Sequence, residues 1–364
     1  MSPDLPLTAL DPSELRELRE TVRDASTESG YPEAVRTLEE SATGLDTDLW
    51  RLLAEEIGLA GVGLPEDMGG LGGLAEIIAV AEELGGTLAP VPFVSSTVLA
   101  GQILSACGES AATYLERILG GEIAAPAITD ARGLWDPSSL GVTLDGDTVS
   151  GSVRFSPFAS AASFFVVAAA SSDGPQVAIV EAAEATVTPL PSLDFSRPSG
   201  SVALASAPAT VLTSGEGGRA ALDHGVDVAL IATGADALGG TQACFDMTLE
   251  YIKVRTQFNR EIGSFQAIKH RMADALMQVE MARSGLEKVT WAPSDTLSAD
   301  ASVIKAWAAD SYNAVAAEAI QLHGGIGFTW EHDAHLYFRR ARYDAAFLGD
   351  AAIHRERVAQ QLGW

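Results

Sequence analysis

Positive charge is scarce in this chain. Its 23 Lys and Arg face 49 Asp and Glu, a formal net charge of −26 at pH 7. A surface this acidic repels phosphate backbones, which excludes nucleic-acid binding and disfavours docking on anionic lipid. Cysteine is nearly absent: Cys107 and Cys244 lie far apart, each among apolar or small neighbours. That rules out a disulfide framework and a zinc cluster and suits a reducing compartment. Long apolar runs are missing as well. The longest, Phe164 to Ala170, falls far short of the roughly 20 residues a membrane helix needs. The opening stretch MSPDLPLTALDPSELRELRE has neither the basic nor the apolar segment of a secretory signal. No internal repeat or low-complexity tail is present. A cytoplasmic location is therefore expected, with no nucleic-acid partner and no membrane.

What the chain does contain is enough apolar material for a sizeable core. Hydrophobic residues make up 47% of its 364 residues, and the mean hydropathy is +0.15. That length exceeds one ordinary core and suits two or three packed domains. Three regimes follow one another.

Residues 1–120 read as helices. In 47–58, Leu49, Trp50, Leu52, Leu53 and Ile57 recur at helical spacing, with Thr47 as expected N-cap and Gly58 as expected C-cap. The stretch 59–73, LAGVGLPEDMGGLGG, reads as a turn-rich loop, because no GKS or GKT closes it as a phosphate loop. Helices are predicted over 74–85 and 93–119. Residues 121–212 change character to short runs rich in Val, Thr and Phe, separated by DG, SSDG and RPSG turns. Their spacing near ten residues predicts an antiparallel barrel or sandwich. Residues 213–364 return to helical periodicity, with helices predicted over 219–253, 264–292, 297–323 and 331–362 and a plain loop over 293–297. Helix, then sheet, then helix is an α+β architecture, and the lack of βαβ alternation excludes a Rossmann fold. GADALGG at 234–240 sits inside a helical pattern and reads as close helix packing rather than phosphate binding.

Two segments carry chemistry. The first runs from Arg255 to Gln266, RTQFNREIGSFQ, between two long helices. Arg255 offers a fork of donors to a phosphate, Phe258 a flat apolar face, and Gly263 the turn into the next helix. The second is Gln321-Leu322-His323-Gly324-Gly325-Ile326-Gly327-Phe328. Its paired glycines let a backbone approach a ligand closely. His323 alone reads as a structural histidine, since no second His stands at metal spacing.

Taken together, YIKVRTQFNREIGSFQAIKHRMADA and QLHGGIGF resemble the signatures of the acyl-CoA dehydrogenase family. With GLAGVGLPEDMGGLGG and the central β segment, the resemblance covers nearly the whole chain. It implies an N-terminal all-α domain, a central β-barrel or sandwich domain and a C-terminal four-helix-bundle domain. It implies FAD as cofactor and oxidation of an acyl-CoA thioester to the 2-enoyl-CoA. In such chemistry a carboxylate takes the weakly acidic α-proton. The flavin accepts the β-hydride, and hydrogen bonds to the thioester carbonyl stabilise the enolate-like charge.

The chain departs from the family's pattern in one direction. The family places a Glu before Gly-Thr near the C-terminus; in Phe347-Leu348-Gly349-Asp350 that position is Leu348. The alternative base position, on the first long C-terminal helix, falls at Ala229. Neither accepts a proton, so no catalytic residue is assigned. Asp223, Asp227, Asp236 and Asp350 lie nearby and read as solvated or structural carboxylates. The Thr-Glu-Pro and Gly-Ser-Asp segments are reduced to Ile128-Thr129-Asp130-Ala131-Arg132-Gly133. Trp-Ile-Thr is replaced by Phe155-Ser156-Pro157, and Pro157 has no N–H.

Arg255, Phe258, Gln266, Gln321, Gly324 and Gly325 are all kept. In the family these residues reach the FAD of a neighbouring subunit, so they are the expected cofactor-binding residues. The pattern resembles the non-catalytic subunit of actinobacterial heterotetrameric (α2β2) acyl-CoA dehydrogenases. It implies a sister subunit that supplies base and flavin-ring pocket, with electron-transfer flavoprotein as the acceptor and lipid, fatty-acid or steroid degradation as the setting. Two other readings stand beside it. One is a self-sufficient homotetramer using a displaced acid such as Asp350 or Asp227, and the other is a FAD-free scaffold.

Overall fold

The computed structural model describes residues 10–213, 215–291 and 296–364. The first helices are α1 (Pro12–Glu28), α2 (Thr47–Arg51), α3 (Leu74–Thr87), α4 (Gly101–Ala106) and α5 (Ala112–Leu119). Asp11 caps α1 in a reciprocal pair with Glu14. The cap of α2 is Asp46, not Thr47: its carboxylate accepts the Leu49 N–H at 2.9 Å, and Thr47 is the first helical residue. The aspartate one place earlier reaches the orphan N–H, so the threonine is not needed there. Gly58 ends the following helical turns at φ +90. The 93–119 stretch is not one helix. Helical turns over 93–100 run into α4, and the chain breaks at Gly108, whose φ of +67 no helix interior contains.

Eight strands follow: β1 (Ala124–Ala127), β2 (Val142–Asp145), β3 (Thr148–Pro157), β4 (Phe164–Ser171), β5 (Gly174–Glu181), β6 (Thr186–Leu190), β7 (Ser199–Pro208) and β8 (Thr210–Val211). They pair in the order β6-β7-β3-β2-β4-β5-β8, with β1 beside β4. The sheet is mixed rather than purely antiparallel, because β1 and β2 both meet β4 in parallel. The long excursion between β1 and β4 lets the chain return in its original direction. Strand β6, which the sequence pattern did not reveal, is an edge strand carrying Pro189, where a missing N–H is tolerated.

The apolar run of β4 now has a cause. Phe164, Val166 and Ala168 pack into the core shared with the helices, whereas Phe165, Val167 and Ala169 fill a second, smaller core inside the sheet. A strand buried on both faces shows no alternation.

The remaining helices are α6 (Glu216–Val254), α7 (Gln266–Val289), α8 (Leu297–His323), α9 (Ala334–Ala346) and α10 (Ala351–Gln361). A short hairpin, β9 (Thr256–Gln257) and β10 (Arg260–Glu261), separates α6 from α7. Residues 293–295 of the expected 293–297 loop lie outside the described residues. The 331–362 stretch is two helices, split where Leu348 (φ +55) and Gly349 (φ +113) turn the chain.

The GADALGG segment lies where α6 crosses its neighbours. A Cβ on Gly239 would sit 1.9 Å from the Glu82 carbonyl oxygen, and one on Gly85 of α3 would sit 2.1 Å from that of Asp236. On Gly240 it would meet the Tyr312 ring at 2.2 Å. These glycines permit backbone-to-backbone contact that any side chain would prevent.

Candidate functional site

The 255–266 loop and the 321–328 turn converge. Tyr251, in the last turn of α6, donates a hydrogen bond to the His323 carbonyl at 3.3 Å, and the two rings stack at 4.3 Å. The Ile262 N–H closes the β9–β10 hairpin on the Arg255 carbonyl at 2.8 Å. At its tip Phe258 and Asn259 both have positive φ, +53 and +61. That conformation is uncommon for a bulky residue, and here it holds Phe258 88% exposed. Strain that displays an aromatic ring to solvent points toward a use for the ring.

Arg255, Gln266 and Gln321 are also exposed, and the Arg255 guanidinium has no ion-pair partner among the described residues. A Cβ on Gly324 or Gly325 would meet nothing within 4 Å, so the turn borders open space. Phe328 (75% exposed) and Ile326 extend the apolar surface. His323 is structural: its Nδ1 bonds the Ala319 carbonyl at 2.7 Å beneath this surface. The face thus combines a free cation, two amides, a flat aromatic ring and a backbone notch. Those are the donors and surfaces that a nucleotide diphosphate with a heterocyclic base requires.

The pocket around Thr129 and Phe155 is arranged differently. The Thr129 hydroxyl donates to the Arg154 carbonyl at 2.6 Å. The Asp130 carboxylate accepts from the Arg132 N–H, the Leu134 N–H and the Arg132 guanidinium. Phe155, at φ +61, lies over Gly133, and the Arg154 guanidinium stacks 5.0 Å above it. Ser156 is fully buried, and its hydroxyl has no hydrogen-bond partner among the described residues.

A cavity of about 310 Å³ remains among Thr129, Phe155, Leu193, Arg342, Tyr343 and Phe347. Deeper in, between Pro157, Phe158, Thr233, Asp344 and Phe347, the open space is only about 20 Å³. That is room for one water and not for a fused ring system.

The acids named from the sequence are all engaged. Asp223 accepts from the Trp135 indole at 2.7 Å and pairs with Arg219. Asp227 pairs with Arg357 at 2.6 Å, although burial pushes its pKa up. Asp350 caps α10, accepting from the Ala352 and Ile353 N–H groups at 3.0 Å each. Leu348 is 4% exposed and Ala229 fully buried, so neither position offers a proton acceptor.

Sequence reasoning missed the largest charged group in the interior. The Arg340 side chain, 0% exposed, contacts Asp194 at 2.5 Å and Asp236 at 3.0 Å, and donates to the Ser196 hydroxyl at 2.6 Å. Arg197 meets Asp236 from the other side at 2.7 Å. Burial opposes ionisation of Asp236, but the two guanidinium groups hold its pKa below the usual carboxylate range. Asp344 lies beside it; burial and then the Asp236 charge push its pKa well up. The RPSG signal reads as a turn, and Asp344 stands among the arginines of α9. Long-range pairing of this kind leaves no local periodicity to detect.

Helical domain, sheet and helical domain follow one another in this order. Two family profiles match the sequence: the acyl-CoA dehydrogenase N-terminal domain over residues 12–122 and the C-terminal domain over 215–363. The chain is 35% identical to acyl-CoA dehydrogenase IpdE2 of Mycolicibacterium smegmatis over 355 residues, covering 96% of this chain and 99% of that protein. It is 36% identical to IpdE2 of Mycobacterium tuberculosis, covering 93% of each.

Among solved structures, the Tcur3481-Tcur3483 steroid ACAD matches with a TM-score of 0.87 and 31% identity, over 96% of this chain and 98% of that one. The ChsE4-ChsE5 complex from Mycobacterium tuberculosis matches with a TM-score of 0.86 and 27% identity, over 97% and 98%. The chain belongs to the acyl-CoA dehydrogenase family, whose members are FAD-dependent oxidoreductases. No helix among the described residues is long and apolar enough to cross a membrane.

Proposed function

We propose that this chain is the partner subunit of an FAD-dependent acyl-CoA dehydrogenase that converts an acyl-CoA thioester to its 2-enoyl-CoA. It completes the dinucleotide site of a sister chain, in an α2β2 assembly, and carries no catalytic base of its own. The observation that carries this reading is the contrast between the exposed grip and the chain's own pocket. The outward grip is built and exposed, with Phe258 held in a strained turn. On the chain's own pocket Leu348 stands at the base position, Thr129 and Asp130 are taken up by Arg154 and Arg132, and the space beside Pro157 and Phe158 admits a single water.

Toward FAD, Arg255 would hold a phosphate of the sister chain's dinucleotide. Phe258 would lie against its ring, Gln266 and Gln321 would bond its polar edges, and Gly324 and Gly325 would let it approach the backbone. When bound, FAD accepts the hydride. In the sister chain a carboxylate would take the α-proton, a contribution of about 10²–10⁴ in rate that a selected enzyme does not forgo. Two similar structures support a two-chain enzyme, one a ChsE4-ChsE5 complex and one a Tcur3481-Tcur3483 steroid ACAD. By that similarity we assign this chain to cytoplasmic breakdown of a lipid or sterol-like acyl-CoA, with electron-transfer flavoprotein as acceptor. Engagement of Asp227 and Asp350 in structure speaks against a self-sufficient enzyme.

Purification of the chain alone and after co-expression with candidate sister chains tests the reading. The lone chain should be colourless and inactive, and the assembly should carry one FAD per pair of unlike chains. One FAD per copy in the lone chain, with turnover, rules it out.

A further inference from the structure

The buried charged cluster joins three parts of the chain. Asp194, Ser196 and Arg197 come from the loop between β6 and β7. Asp236 comes from α6, and Arg340 and Asp344 from α9. Arg197 also donates to the Ala89 carbonyl, just past α3, at 2.9 Å. One connected set of bonds therefore touches the N-terminal helices, the sheet and the C-terminal helices. Two guanidinium groups face the Asp194 and Asp236 carboxylates, with Asp344 beside them.

The same loop is held from outside by the preceding residue of α9. Arg339 donates to the Leu193 carbonyl at 3.2 Å and stacks on Phe195 and Trp330 at 5.0 and 5.2 Å. The cluster lines the small inner cavity, where Arg197, Asp236 and Asp344 stand beside Pro157 and Phe158. The open space there, about 20 Å³, takes one water, and the larger cavity of about 310 Å³ lies alongside it, sharing Tyr343 and Phe347.

We propose that the Asp194–Arg340–Asp236–Arg197 cluster is an interdomain latch, holding the sheet domain closed on the helices without a dinucleotide in the chain's own pocket. The latch rests on the reading that this pocket carries no flavin. Buried ion pairs add little net stability, yet breaking one leaves an unpaired charge in the interior, a strongly unfavourable result. A latch therefore fails locally, at the elements it joins. In the Arg340→Met variant, Asp194 and Asp236 lose their shared partner, and the sheet domain should open more often than the helical core.

Amide hydrogen exchange on the full-length chain tests this. Arg340→Met should speed exchange at 191–208 by at least about tenfold, while α4 and α8, which contribute nothing to the cluster, change little. Ser196→Ala should give a smaller increase at the same amides, and it keeps the test open if Arg340→Met does not fold. Saturating FAD should protect neither protein.

Unchanged exchange at 191–208, or equal acceleration throughout the chain, overturns the latch. Protection of Arg340→Met by added FAD overturns its independence from the cofactor. Stoichiometric flavin in the lone wild-type chain would instead defeat the reading of the pocket and leave the exchange result to be judged separately.

Discussion

Placing a glutamate at the family's base position, Leu348→Glu, separates a missing base from a missing site. Leu348 is 4% exposed, in the turn between α9 and α10. Removing it forfeits the burial of a leucine, about 1.5–3 kcal/mol. The incoming carboxyl is buried without a designed partner and adds about 1–3 kcal/mol of desolvation cost. The nearby Lys305 ammonium does not offset this, because it already donates to the Gly349 and Ala345 carbonyls at 2.8 and 3.3 Å. The variant should therefore lose about 2.5–6 kcal/mol of stability by denaturant titration. Acyl-CoA-dependent dye reduction by the lone variant, with FAD supplied, should stay at the background of the wild-type chain. A base is worth 10²–10⁴ only beside a bound thioester and flavin, and the chain's own pocket supplies neither donor set. A rise of about a hundredfold or more in the lone variant would refute the reasoning.

Arg255→Ala should weaken flavin retention in the assembled complex by the loss of a charge-assisted contact of about 1.5–3 kcal/mol, roughly ten- to hundredfold; unchanged retention on dialysis would exclude the phosphate role. Gly239→Ala gains about 1 kcal/mol of helix propensity, but its Cβ would stand 1.9 Å from Glu82 O and 2.7 Å from Gly86 N, both backbone atoms. Net destabilisation of about 2 kcal/mol or more is expected, whereas Gly285→Ala, with nothing nearer than 3.9 Å, should be neutral or stabilising; equal melting temperatures would contradict the packing assigned to α6.

Burial pushes the Lys305 pKa down to about 8 from an ordinary 10.5. Between those values the unfolded chain binds a proton that the folded chain does not, so this group's contribution to stability rises with pH across the window. Relative to Lys305→Met, the wild type should gain about 3 kcal/mol from pH 8 to 10.5 in denaturant unfolding, and a flat difference would show that Lys305 stays charged.

The helices were legible wherever apolar spacing was dense. The 297–323 prediction coincides with α8, and 219–253 differs from α6 by three residues at its start and one at its end. Boundaries failed where a neighbouring side chain decided them. Asp46 rather than Thr47 reached the α2 N–H groups, and Leu348 in a left-handed conformation divided a pattern that read as continuous. The parallel pairings of β4 were out of reach, since periodicity describes which faces a strand buries and not its partners. Exposure at the candidate grip follows from a few residues close in sequence. Arg340, Asp236 and Asp194 are separated by about a hundred residues or more from one another or by 42 at the least, and only the folded chain brings them together.

Helix α6 is a rigid bar of 39 residues, about 58 Å at 1.5 Å per residue. Asp236 and Arg255 stand near its middle and its far end, about 28 Å apart along the axis. The interior anchor thereby fixes how far, and at what angle, the outward arginine projects. Adding a single helical turn between them would move that arginine by about 5 Å, so any neighbour that docks on it under the proposed function would meet it at one set offset, and a length change in this bar should abolish that docking.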